Sequence, residues 1–60
     1  MKPDQFSRAL ATLQWSQADF ARRTGVHAQT VNRWCNGHTS IPPMAVAYIE
    51  LALAVKALPI

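Results

Sequence analysis

Apolar residues recur along this chain at helical spacing, in four blocks. Phe6, Leu10 and Leu13 fall four and three apart, with Ala9 beside them, and form one stripe. Pro3 suits the first turn of such a helix and Asp4 sits at its positive end, so a helix is predicted over 3–13. Phe20 and Ala21 mark the inner side of a second, short helix. Ser16 is its N-cap, and Asp19 makes a Ser-x-x-Asp capping box, weaker than one with Glu because Asp reaches less far. Thr24-Gly25 ends it, since glycine takes the left-handed cap at little cost. Val26 is the expected buried plug of the turn, and His27 stands at the next N-cap. Val31 and Trp34, three apart, share the core face of a third helix from Ala28 to Asn36, stopped by Gly37. The same spacing assigns Trp34 to the core rather than to a base-stacking platform.

The fourth block opens at Pro42-Pro43, runs to about Leu58 and is ended by Pro59. Between Met44 and Leu58 only Glu50 and Lys56 are charged. They lie about 240° apart around a helix and define no polar face. A helix this apolar is buried on more than one side, yet it is shorter than the roughly 20 residues a bilayer needs. Val46, Ile49 and Leu53 are expected to close the core. Met44, Ala47, Tyr48, Leu51, Ala54, Val55 and Leu58 are then left for a second copy of the chain. Trp15 is expected at the edge of the core, and Gln14 stands where a glycine would be usual, which predicts a turn of different geometry.

Sixty residues make one domain, 1–60, with a modest core. Half are hydrophobic and 15% charged, too apolar for a disordered tail and rich for a monomer of this size. The net charge is +3, and from Phe20 to Ile49 the only formal charges are Arg22, Arg23 and Arg33. A local basic patch favours phosphate. The lone Cys35 excludes an internal disulfide and fits a reducing cytoplasm. The N-terminal stretch MKPDQFSRAL lacks the apolar core of a signal peptide. His27, Cys35 and His38 do not make a metal site: they are three where zinc wants four, and His27 and Cys35 bracket a helix, about 12 Å apart. The same distance defeats a Cys-His nucleophilic pair, and no glycine-rich phosphate loop is present, so no enzyme, cofactor or small-molecule ligand is expected.

Two short helices joined at Gly25 leave Ala28, Gln29, Asn32 and Arg33 opposite the core face of the second. Gln, Asn and Arg are the side chains that pair bidentately with adenine or guanine in the major groove. The alternative for Gln29, Asn32 and Arg33 is the plain solvated face of a surface helix. The stretch 17–36 resembles the Cro/cI-like (XRE-type) helix-turn-helix family through Gln17, Ala21, Gly25, Val31 and Trp34, followed by Asn36-Gly37. The resemblance implies an all-α, four-helix, lambda-repressor-like domain. It implies a phosphate contact for Gln17 and base or backbone contacts for Ala28, Gln29, Asn32 and Arg33. Arg22, Arg23, His27, Thr30, Asn36 and His38 complete the expected DNA-contacting set.

On this reading the chain is a dimeric, sequence-specific transcription regulator, and a repressor acting by occupancy because no ligand domain is apparent. It would bind double-stranded DNA at an inverted repeat, in the cytoplasm of a bacterium, encoded there or by a phage or mobile element. Autorepressors, including those of anti-CRISPR operons, and antitoxins share this build, and the sequence does not choose among them. The alternative is a protein-interaction module, an antitoxin or antirepressor working through its apolar last helix.

Overall fold

The computed structural model describes residues 1–58 and contains four helices: α1 Pro3–Leu13, α2 Gln17–Thr24, α3 Ala28–Cys35 and α4 Pro43–Lys56. No strand occurs among the described residues. α1 packs on both α3 and α4, and α2 packs on α3. The stripe of α1 is buried as its spacing requires, at Phe6, Ala9, Leu10 and Leu13. It meets Phe20 and Ala21 of α2, Val31 and Trp34 of α3, and Ala45 and Ile49 of α4.

Aromatic edges lock this core. Phe20 lies 5.2 Å from Phe6 of α1, 6.4 Å from Trp34 of α3 and 5.7 Å from Tyr48 of α4, each nearly perpendicular to it. Phe6 and Trp34 close the triangle at 6.0 Å. Such pairs contribute about 0.5–1.5 kcal/mol each beyond the area they bury.

Three expectations need correction. The inner face of α4 is Ala45 and Ile49, with Leu53 packed beside them, while Val46 is only half-buried. Ala45 precedes Ile49 by four, so the two stack on one line, and Val46 turns off it by one residue. Val26 is not a buried plug: it is half-covered and packs against the core from its rim. The first turn of the chain keeps the usual left-handed closure although Gln14 replaces glycine. Gln14 has φ 60° and ψ 34°. Its amide donates to the Ala11 carbonyl and that of Trp15 to the Leu10 carbonyl, both at 3.0 Å. This is the paired closure that glycine usually makes at a helix end. Trp15 is held against the core, at the edge as expected, and the gain there offsets the strain at Gln14.

The helix ends elsewhere follow the sequence closely. α3 ends at Cys35 with Asn36 as its cap. The Gly37 and His38 amides then donate to the Trp34 and Arg33 carbonyls, with Gly37 at φ 77°. α4 has Pro42 as cap and Pro43 as first residue and stops at Lys56. The stop assigned to Pro59 lies outside the described residues. Tyr48, expected against a second copy, is half-buried between Phe20 and Trp15 of its own chain.

The left-handed Gln14 yields a direct test. A non-glycine residue there carries about 1–2 kcal/mol of strain, partly offset by the entropy glycine loses on folding. Gln14→Gly should stabilise the domain by about 0.5–1 kcal/mol, a rise in Tm of roughly 2–8 °C for a domain this small. Thermal unfolding by circular dichroism measures it; a lower Tm would show that the Gln14 side chain contributes more than its backbone costs.

Candidate nucleic-acid interface

The short α2 is set by its ends. The Ser16 hydroxyl accepts from the Asp19 amide at 3.0 Å, and the Asp19 carboxylate accepts from the Ser16 amide at 2.9 Å. Both halves of the capping box are therefore made despite the short reach of Asp. At the other end Gly25, at φ 77°, closes the helix onto the Ala21 carbonyl. The tight turn brings α3 across α2 with Ala21 buried at the crossing. α3 has no side-chain cap: His27 occupies the position without donating or accepting, and its ring is exposed.

Burying Val31 and Trp34 fixes the rotation of α3. Ala28, Gln29, Asn32, Arg33 and Asn36 all come out exposed, and Thr30 is half-buried at their margin. Gln17, at the start of α2, lies beside this face and is tied to it. Its Oε1 accepts from Asn32 Nδ2 at 3.1 Å, and Asn32 Oδ1 accepts from Asn36 Nδ2 at 3.0 Å. His38 stands just beyond α3, where residues 37–41 and Met1–Pro3 line an open cleft of about 500 Å³.

The three arginines of the basic stretch separate into two kinds. Arg22 pairs with Asp19 one turn earlier on α2. Arg23 lies 4.3 Å over the Trp15 ring. Arg33 has no carboxylate partner among the described residues and stands on the exposed face of α3. The positive charge on that face is thus concentrated in Arg33. No cluster of three or more His, Cys, Asp or Glu side chains occurs among the described residues, and Cys35 is half-buried against the core.

The structure brings Gln17, Asn32 and Asn36 together at the exposed face of α3. Sequence reasoning missed the two bonds that link these amides through Asn32, and the contact of Arg23 with Trp15. No local spacing encodes either contact, because both depend on how helices and loops cross. The expected second-copy residues Met44, Ala47, Leu51, Ala54, Val55 and Leu58 are all exposed. Among the described residues no helix is long and apolar enough to cross a membrane.

A family model described as helix-turn-helix matches residues 8–57, which is most of the chain and includes all of α2 and α3. Searches among curated proteins and among solved structures give no match.

Asp19 makes α2 sensitive to acid. Its carboxyl is held below the usual range, first by the bond from the Ser16 amide and then by that from the Ser16 hydroxyl; desolvation opposes these, and Arg22 and then Arg23 lower it further. A lowered folded-state value means that Asp19 stabilises the fold above the ordinary carboxylate range and ceases to do so as pH falls through it. The Tm should therefore decline between about pH 5 and pH 3, and Asp19→Asn should flatten that decline while lowering the Tm at neutral pH. Melting curves across this range check it; an unchanged slope in the variant would remove Asp19 from the account.

Proposed function

The chain belongs to the Cro/cI-like helix-turn-helix family of DNA-binding regulators, and on that premise we propose that it is a dimeric, sequence-specific transcriptional repressor. One observation carries the reading. The fold turns Gln29 and Arg33 outward on one face of α3, with Gln17 beside them at the start of α2. In a helix-turn-helix the second helix enters the major groove and the first crosses the backbone. Gln29 and Arg33 then read base edges, and the Gln17 amide donates to a phosphate. His27, Thr30, Asn36 and His38 border the same face and serve the backbone. A repressor of this kind acts by occupancy, blocking polymerase at a promoter.

The dimer rests on α4. Met44, Leu51 and Val55 of α4, and Leu58 just beyond its end, are each more than half exposed, at 59%, 66%, 52% and 57%. Large apolar side chains exposed along one helix mark an interaction surface. A second copy covering this face places two α3 helices on one duplex. The operator is then an inverted repeat with half-site centres about one DNA turn, roughly 10 bp, apart.

The same apolar face favours one other reading, a module that binds a different protein, as an antitoxin or antirepressor does. Salt separates the two: DNA affinity falls steeply as salt rises, whereas apolar protein binding hardly responds.

Footprinting on the DNA upstream of its own gene, or selection from a random duplex library, tests the central proposal. Arg33→Ala and Gln29→Ala should each narrow the gap between selected and random duplex by about 1–3 kcal/mol per half-site, while Gln17→Ala weakens both alike. An unchanged ratio in well-folded variants means that α3 is not the reader.

Sedimentation at micromolar concentration should give twice the chain mass, and Leu51→Glu should return it to a monomer. A folded monomer in the unsubstituted chain would overturn the dimer.

A further inference from the structure

Asn32 stands in the middle of the exposed face of α3, where a base reader is expected, yet both functional ends of its amide are already engaged within the chain. Its Nδ2 donates to Gln17 Oε1 at 3.1 Å and its Oδ1 accepts from Asn36 Nδ2 at 3.0 Å. Reading adenine requires a free donor and a free acceptor side by side on one amide. Each end keeps one further hydrogen-bonding position, but the plane of the amide is set by Gln17 and Asn36 and is not free to turn onto an adenine edge.

The two bonds run in one direction. Asn36 donates to Asn32, Asn32 donates to Gln17, and the Gln17 amide nitrogen is left at the end with no side-chain partner among the described residues. An amide whose oxygen is held and whose NH2 is free is a fixed donor, suited to an anionic oxygen. Successive amide bonds also polarise one another in the same sense and strengthen that terminal donor. Gln17 is half-buried at the first turn of α2, so its backbone is fixed by the Ser16–Asp19 cap while its tip is fixed by α3.

We propose that Asn32 is a positioning residue: it holds the Gln17 amide in register for a DNA phosphate and does not itself read a base. This rests on the phosphate role given to Gln17 above. It leaves sequence discrimination to Gln29 and Arg33, which flank Asn32 on the same face and make no side-chain hydrogen bond among the described residues. The phosphate contact and the reading helix thereby become one rigid unit, because the bond from Asn32 to Gln17 spans the turn between the two helices.

The test is a double-mutant cycle on the full chain, with two duplexes of equal length: one selected by this chain from a random library and one of random sequence. Asn32→Ala and Gln17→Ala should each weaken binding to both duplexes by about three- to tenfold, the range expected for one hydrogen bond. The double variant should be no weaker than the weaker single variant. The ratio of selected to random affinity should stay unchanged in all three. Losses that multiply would overturn the proposal, as would an Asn32→Ala variant that binds random duplex normally but loses preference at one base pair. If Asn32→Ala fails to fold, Asn32→Asp replaces it: it keeps the size, can still accept from Asn36 and cannot donate to Gln17. Its own repulsion from phosphate cancels in the cycle, so its loss should be larger with Gln17 present than with Gln17→Ala, and equal losses overturn the proposal. An unsubstituted chain that binds both duplexes equally removes the sequence-specific reading of the preceding section, while the cycle on random duplex still decides the role of Asn32. A chain that binds neither duplex overturns both.

Discussion

Everything on the surface of this domain is placed by one buried ring. Phe20 touches an aromatic side chain from each of the other three helices, and Trp15 from the turn before α2 approaches it at 6.4 Å. Edge-to-face contacts fix angle as well as distance, because the ring quadrupole disfavours face-to-face stacking. Helices of eight residues, such as α2 and α3, have little stability of their own. Their orientation comes from tertiary contact, and the Phe6–Phe20–Trp34 triangle supplies it at the point where they cross. A chain of 60 residues has no second core to share this task.

The consequence for function is rotational. With Trp34 and Val31 pinned inward, the outward residues of α3 have no freedom to exchange faces. The amide chain from Asn36 through Asn32 to Gln17 adds a polar tie outside the same crossing that the aromatic triangle holds from inside. Two short helices are thus fixed on both sides of their contact. α4 is held differently: Ala45 and Ile49 bury one line against the core, and the opposite side stays apolar and uncovered. A helix with so little polar contrast leaves an apolar side that its own domain does not cover.

Much of this was legible in the sequence because it rests on local chemistry. The stripe of α1, the Ser16 cap, the stop at Gly25 and the inward Val31–Trp34 pair all follow from spacing and cap preference, and each sits where it was expected. The exceptions share a cause. Gln14 takes the glycine conformation because the closure of α1 and the packing of Trp15 outweigh a local penalty that sequence rules weigh alone. The inner line of α4 could not be fixed from its pattern, since a helix apolar all round gives no phase; only its crossing with α1 selects Ala45 over Val46. Arg23 looked like a free cation in the sequence, and its place over Trp15 depends on where a loop residue folds back. In the candidate site the membership of the exposed face was readable, while the bonds among its members were not.

The charge arrangement links the two proposed surfaces. Arg22 is paired and Arg23 is stacked, which leaves Arg33 as the one arginine on the exposed face of α3. Each phosphate neutralised by a cation contributes about 0.9 to the salt slope of binding, and the affinity of a DNA reader comes largely from such contacts. A single copy, with one unpaired arginine on α3 beside neutral amides, makes fewer such contacts than two copies do. Neutral amides discriminate well but hold weakly. Joining two copies through α4 doubles both the cations and the base contacts on one duplex, and the second set engages at the high local concentration that linkage provides. On the proposed reading, the uncovered apolar face of α4 and the sparse charge of α3 answer one requirement: two lightly charged reading surfaces hold one duplex better than one, and pairing through the apolar side of α4 would bring them together.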